Sequence, residues 1–212
     1  MTNLSNFFNK APLFIGLLLT ATSFVVYPSA NKPFLSNNVI EFKNSVYESY
    51  GQGNEKLILR FKEGSMNLDN RVINLIGDVE GTFNLDGKTF NLKTNGLRGN
   101  LLDKTISSKK STLFKTEDIE IVSSDMEIAQ TPLARIKIHF NNVNLDKINL
   151  GSKINKGKAD EVELFLTKDL ILMKGNAEFN DDNMKIISDE IHYDLSQDRV
   201  LKSVNSKIIN NL

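Results

Sequence analysis

Along most of this chain apolar and polar residues alternate at a period of two, the spacing of a strand with one buried face. The clearest run is 135–141, where Ile136, Ile138 and Phe140 alternate with Arg135, Lys137, His139 and Asn141. Leu57, Leu59 and Phe61 form a second run, with Ile58 on the opposite face. Ile73, Leu75, Val79, Phe83 and Leu85 share one parity, interrupted by Gly77 and Gly81. Glycines on an inward parity predict bulges or a close approach to the backbone. Val162, Leu164 and Leu166 read as a half-buried strand, and 170–173 as a nearly continuous apolar one. Turn signals separate these runs: Asp69-Asn70, Asp86-Gly87, Asp103-Lys104, Lys156-Gly157 and the tetrad 180–183. Asp86-Gly87 suits a two-residue hairpin turn, which demands left-handed backbone at both positions. The Gly/Lys-rich stretch 149–161 reads as a loop. Helical periodicity is hard to find, so the pattern predicts an all-β chain: an antiparallel sandwich, jelly roll or open barrel.

One short pattern occurs three times, at 90–99, 119–128 and 184–193: apolar, any, apolar, any, hydroxyl, any, any, apolar. The apolar sets are Phe90/Leu92/Leu97, Ile119/Ile121/Met126 and Met184/Ile186/Ile191, and the hydroxyls are Thr94, Ser123 and Ser188. Such recurrence predicts a small β-unit that cannot bury its apolar face alone and stacks on its neighbours. The greasy faces then either pack on each other, as in any sandwich, or leave an apolar groove between them.

The N-terminus changes the picture. Residues 11–27 carry no charge, and Lys10 precedes them. As a helix they would reach about 26 Å, a little short of a hydrocarbon core of about 30 Å. A cut after Ala30 would put Pro28 where signal peptidase wants a small residue. The segment therefore reads as one uncleaved transmembrane helix, with 1–10 as a cytoplasmic tail, 28–38 as a linker and 39–212 exported. The alternative is a cleaved leader releasing a soluble protein.

Composition mainly excludes. Lys plus Arg and Asp plus Glu number 26 each, so there is no excess positive charge for a nucleic-acid backbone. Cysteine is absent, which removes disulfides, thiol chemistry and lipoprotein attachment. The two histidines, His139 and His192, have no second His or Cys at ligand spacing, so neither a metal nor another cofactor is expected. Asp189-Glu190 and Asp181-Asp182 are neighbours whose strand geometry would point them apart, and no histidine is placed to activate the serine pairs. The chain reads as a non-enzyme.

Residues 173–179 (MKGNAEF) followed by MKIISDEIHYDLSQDRV resemble the repeat of the OstA-like lipopolysaccharide-transport family. The matching positions are Gly175-Asn176, Ser188-Asp189-Glu190, Tyr193-Asp194 and the closing Val200. An earlier copy begins at Gly77-Asp78-Val79. In the middle copy Ile128-Ala129 replaces the Tyr-Asp step and Pro132 follows, which reads as a bulge or an edge. Residues 38–48 (NVIEFKNSVYE), shortly after an N-terminal anchor, are similar to the start of the periplasmic domain of LptC-type members. The resemblance implies a twisted antiparallel β-jelly roll tethered to the bacterial inner membrane. It implies that lipopolysaccharide is accepted from an inner-membrane ABC transporter and passed to an LptA-like periplasmic bridge protein. Given such a groove, parity assigns Phe90, Leu92, Ile119, Ile121, Ile136, Ile138, Phe140, Met184 and Ile186 to its lining. The bridge is expected to dock on the C-terminal edge at 201–209. A soluble bridge protein, or a closed sandwich serving as an envelope scaffold or adhesin without lipid, are the competing expectations.

Overall fold

The computed structural model of the chain describes residues 26–28, 34–36, 38–50, 56–85, 88–100, 102–103, 105–130, 136–148, 154–165, 168–181 and 183–210. Sixteen strands form among them: β1 (Val26–Pro28), β2 (Phe34–Ser36), β3 (Val39–Tyr50), β4 (Lys56–Asn67), β5 (Val72–Leu85), β6 (Lys88–Asn100), β7 (Thr105–Ser108) and β8 (Thr112–Lys115). The second half comprises β9 (Ile119–Ser123), β10 (Asp125–Gln130), β11 (Ile136–Ile148), β12 (Ile154–Phe165), β13 (Leu170–Asn180), β14 (Met184–Asp194), β15 (Arg199–Val204) and β16 (Lys207–Asn210). All pair antiparallel in one hydrogen-bonded sheet.

That sheet is folded along its middle into two facing layers. Register shows the fold line. The first part of β6 pairs with β8 and the last part with β7. Likewise the first part of β11 pairs with β10 and the last with β9, and β14 divides between β16 and β15. Each long strand thus serves both layers. The upper layer holds 79–85, 88–94, 112–115, 119–123, 143–148, 177–180, 184–188 and 207–210. The lower holds 72–76, 96–100, 105–108, 125–130, 136–141, 170–174, 190–194 and 199–204.

The chain turns this corner with bulges and left-handed residues. Register shifts fall between Ile76 and Val79 in β5 and between Lys174 and Ala177 in β13. Gly77 (φ 82°) and Gly175 (φ 68°) supply the backbone there, a region that costs glycine nothing. Asn44, Asn142, Asn176 and Asn205 also turn left-handed, the conformation asparagine tolerates best after glycine. The recurring Gly-Asp/Gly-Asn step is therefore a corner bulge.

On the inner side of the corner the layers converge, and only small side chains fit. Val79 stands opposite Thr94, Thr94 opposite Thr112, Thr112 opposite Ser123, Val143 opposite Ala159 and Ala177 opposite Ser188, all buried. The three repeat hydroxyls lie in this row. Ser188 Oγ accepts the amides of Val204 (3.1 Å) and Glu190 (3.3 Å) and has its one proton to share between their carbonyls, 2.5 and 2.8 Å away. Thr94 Oγ1 lies 2.7 Å from Ser108 Oγ. On the outer side, Lys62 bonds Asp78, Asn176 donates to Asp160 at 2.8 Å and Asn205 donates to Asp189 at 2.7 Å, tying each corner to the next.

Several expectations meet the structure differently. Stretch 149–161 is not all loop: β12 begins at Ile154. Its inward residues there are Gly157 and Ala159, buried beneath outward Lys156, Lys158 and Asp160, so the alternation is real but carried by small residues. Ile128-Ala129 is neither edge nor bulge, because β10 is paired on both sides, by β7 and β11. Leu85 pairs with Lys88, the register of a two-residue hairpin, with the Asp86-Gly87 turn itself outside the described residues. Of the expected transmembrane segment, 11–25 lies outside the described residues, while Val26 and Tyr27 belong to β1 and pair with Tyr47 and Val46. Within the expected linker, β2 pairs with the start of β3. Among the described residues no helix is long and apolar enough to cross a membrane.

Candidate functional site

The interior between the layers is built from two apolar rows, one residue per strand. In the upper layer directly paired residues run Tyr47, Leu59, Gly81, Leu92, Phe114, Ile121, Leu145, Gly157, Phe179, Ile186 and Ile208. In the lower layer they run Ile40, Met66, Ile73, Gly99, Ile106, Ile128, Ile138, Leu164, Ile171, Tyr193 and Val200. Period-two alternation puts these side chains on one face of each layer, and antiparallel register lines them up across it.

Of the residues assigned to a groove lining, those whose side chains are described fall on these inner faces. Phe90, Leu92, Ile119, Ile121 and Ile186 are buried from the upper layer, and Ile138 and Phe140 from the lower. Met184 packs half-buried against the same cluster. Ile136 is in β11 opposite Gln130, with its side chain outside the described residues. The assigned residues that are described share one continuous apolar cluster with Leu57, Val162, Met173 and Ile191. His139 takes the opposite parity, its ring nitrogen 3.1 Å from Asn141 Oδ1.

Contacts across the layers are aromatic at two places. Phe90 and Phe114 stack with centroids 5.9 Å apart, and Phe114 meets Phe140 of the lower layer at 5.5 Å. Phe179 meets Tyr193 across the gap at 4.9 Å. The sequence assigned none of Phe114, Phe179 and Tyr193 to the lining, although the last two lie in the family-like repeat. Phe114 sits in a four-residue strand beside Leu113, too short to display a period; its pairing with Leu92 and Ile121 reveals its role.

Among the described residues these side chains are buried together in one cluster. A cavity of about 110 Å³ lies on the side away from the fold line, where turns of the two layers approach. Phe90, Ile119, Leu164 and Leu195 line its floor, and Lys88, Glu117, Asp118 and Asp169 its rim.

The outer faces carry balanced ion pairs. On the lower layer Glu163 lies between Lys137 (2.6 Å) and Lys174 (3.5 Å), one on each neighbouring strand. Burial opposes its ionisation, but the hydrogen bond and charge of Lys137, with Lys174 behind, prevail and hold the carboxyl below the usual glutamate range. Among the described residues no group of His, Cys, Asp or Glu is arranged to hold a metal ion.

At the C-terminal end β15 and β16 both pair with β14, and no described strand covers their far side. Leu201, Ile208 and Ile209 are exposed there. At the other end β1 and β2 lie along β3.

The family described as "LptA/(LptD N-terminal domain) LPS transport protein" matches residues 65–199. No curated protein matches the chain in sequence. Among solved structures, the chain is similar to LptH of Pseudomonas aeruginosa, described as the LptA homologous periplasmic component of the conserved lipopolysaccharide transport device. The TM-score is 0.50 at 9% identity, covering 58% of this chain and 94% of that one. At that identity the likeness concerns the fold, a β-jelly roll.

Proposed function

Because the chain belongs to the LptA/LptD N-terminal-domain family of lipopolysaccharide-transport proteins, we propose that its interior carries the acyl chains of lipopolysaccharide and that its C-terminal edge hands them to a bridge protein. It acts as a passive, non-enzymatic link. The observation that carries this reading is the run of both apolar rows to the last strands, where Ile208 is left 60% exposed. A closed scaffold would end its core before its edge strand; here the inner face continues to the rim, where a second jelly roll could extend it. An uncovered strand also offers unpaired backbone N–H and C=O groups to a partner strand.

Acyl chains entering such an interior replace apolar side-chain contacts with apolar lipid contacts. Each buried CH₂ contributes about 0.8 kcal/mol relative to water. With Phe90, Leu92, Ile119, Ile121, Ile136, Ile138, Phe140, Met184 and Ile186 on the lining, the lipid displaces contacts between layers and leaves the hydrogen-bonded corner intact. The test is transfer: purified full-length chain loaded with lipopolysaccharide should pass it to a soluble LptA-like protein. Deletion of 201–209 should stop that passage, and undiminished transfer by the deleted protein would refute the docking assignment.

In this proposal the N-terminus tethers the chain to the inner membrane, beside the ABC transporter that supplies the lipid. A second reading, a soluble bridge freed from its leader, is favoured by the pairing of Val26–Pro28 with β3. Residues 11–25 alone would span only about 22 Å as a helix. The intact mass of the protein isolated from cells separates the two, since cleavage removes the N-terminal segment and tethering retains it.

A further inference from the structure

The fold line joins the two layers covalently through every long strand, so they cannot part there. On the opposite side, among the described residues, they meet through side chains. The ion pairs Lys62–Asp78, Lys93–Glu80, Lys115–Glu120, Lys137–Glu163 and Lys185–Glu178 each join neighbouring strands of the sheet. Lys88–Asp169 instead links residues 81 apart in sequence, from the start of β6 in the upper layer to the β12–β13 turn in the lower. Asp169 is fixed for this contact: its backbone is left-handed (φ 50°) and its carbonyl accepts the amide of Leu195 at 2.8 Å.

Beneath this pair lies the cavity of about 110 Å³. Its floor is the start of the interior: Phe90 leads through Phe114 to Phe140 of the lower layer. The side chains of the pair are 52% and 37% exposed. Exposed ion pairs contribute little to stability, so this one can be broken without unfolding what it joins.

We infer that this mouth is a lateral opening through which acyl chains reach the interior, and that Lys88–Asp169 is its releasable clasp. The inference rests on the lipid-carrying reading above and names the route into the site. Chains admitted here enter sideways while the headgroup stays in water; threading from the end of the trough would draw the headgroup along it.

The chain has no cysteine, so Lys88→Cys/Asp169→Cys can be bridged by a short bis-methanethiosulfonate linker without side reactions. The full-length double variant, with a photocrosslinking residue at position 138, is incubated with lipopolysaccharide before and after bridging and then irradiated. Lipid adducts should form in the unbridged protein and fall to the level of an outward control at position 139 once bridged. Adducts undiminished by bridging, with the bridge verified by mass, would overturn the lateral route while leaving the interior as the lipid site. Absence of adducts in both the unbridged and the unmodified protein would overturn the lipid-carrying reading and the clasp with it. A Lys88→Asp/Asp169→Lys exchange should load like the native pair, whereas Lys88→Asp alone, which sets two carboxylates face to face, should load faster. Equal rates for these two would also count against a clasp.

Discussion

Ile186 of β14 and Ile208 of β16 stand directly opposite one another on the inner face, yet Ile186 is 4% exposed and Ile208 60%. Nothing in their chemistry distinguishes them; position does. Ile186 has β13 beyond it, and Ile208 has no described strand on its far side. An apolar row that reaches its last strand unfinished calls for continuation. Ile208→Asp should therefore leave stability within about 0.5 kcal/mol of the parent, as for an exposed position. The same change should abolish binding of an LptA-like partner, measured by pull-down or titration calorimetry. Retained binding would move the docking surface elsewhere.

The corner hydroxyls make a second prediction. Ser188→Ala removes the acceptor of two amides, Val204 N and Glu190 N, at a buried position. Leaving such groups unsatisfied costs about 1–3 kcal/mol. Urea unfolding should show a loss of this size, with faster hydrogen exchange at Val204 than elsewhere in β14 and β15. A neutral substitution would show that the corner is held by its backbone alone.

The corner bulge is open to the same kind of test. At Gly175 an added Cβ would lie 2.7 Å from Asp160 Oδ2, and φ is 68°. Gly175→Ala should thus destabilise by about 1 kcal/mol or more, whereas Lys174→Ala, on the neighbouring position, should cost less.

In the interior, Phe114→Ala removes the ring between Phe90 and Phe140 and should cost about 3–5 kcal/mol, the range for a buried aromatic. Thermal or denaturant unfolding checks it. A loss under about 1 kcal/mol would mean that the layers close over the gap.

The Lys137–Glu163–Lys174 cluster gives a pH prediction. The folded state lowers the carboxyl pKa of Glu163, so its contribution is fully present above the unfolded value of about 4.3 and is lost as pH falls through the folded one. Because its partners Lys137 and Lys174 are 32% and 38% exposed, solvent screens the cluster and Glu163 should contribute no more than about 1 kcal/mol. Glu163→Gln should be less stable than the parent at neutral pH, and the difference should vanish in acid. A gap that persists below pH 3 would assign the effect to packing instead of charge.

Much of this architecture was legible in the residues. Period-two alternation marked the inner faces of β4, β11 and β14 because each is half-buried, and the threefold motif put Leu92, Ile121 and Ile186 at equivalent positions of one row. The motif's hydroxyls were visible as a pattern but not as corners. A bend needs the register of two neighbouring strands, which no single strand displays. Stretch 149–161 was misread because Gly157 and Ala159 contribute to the inner row without adding hydrophobicity. The Lys88–Asp169 contact joins two turns that only the fold brings together.

The central claim is that the interior carries lipid, and photocrosslinking in living cells tests it most directly. A photoreactive residue at position 138 of the full-length chain, irradiated in vivo, should yield a lipopolysaccharide adduct. The outward neighbour at position 139 should yield none. No adduct at either position, with the protein expressed and folded, would contradict the account and leave a closed β-sandwich.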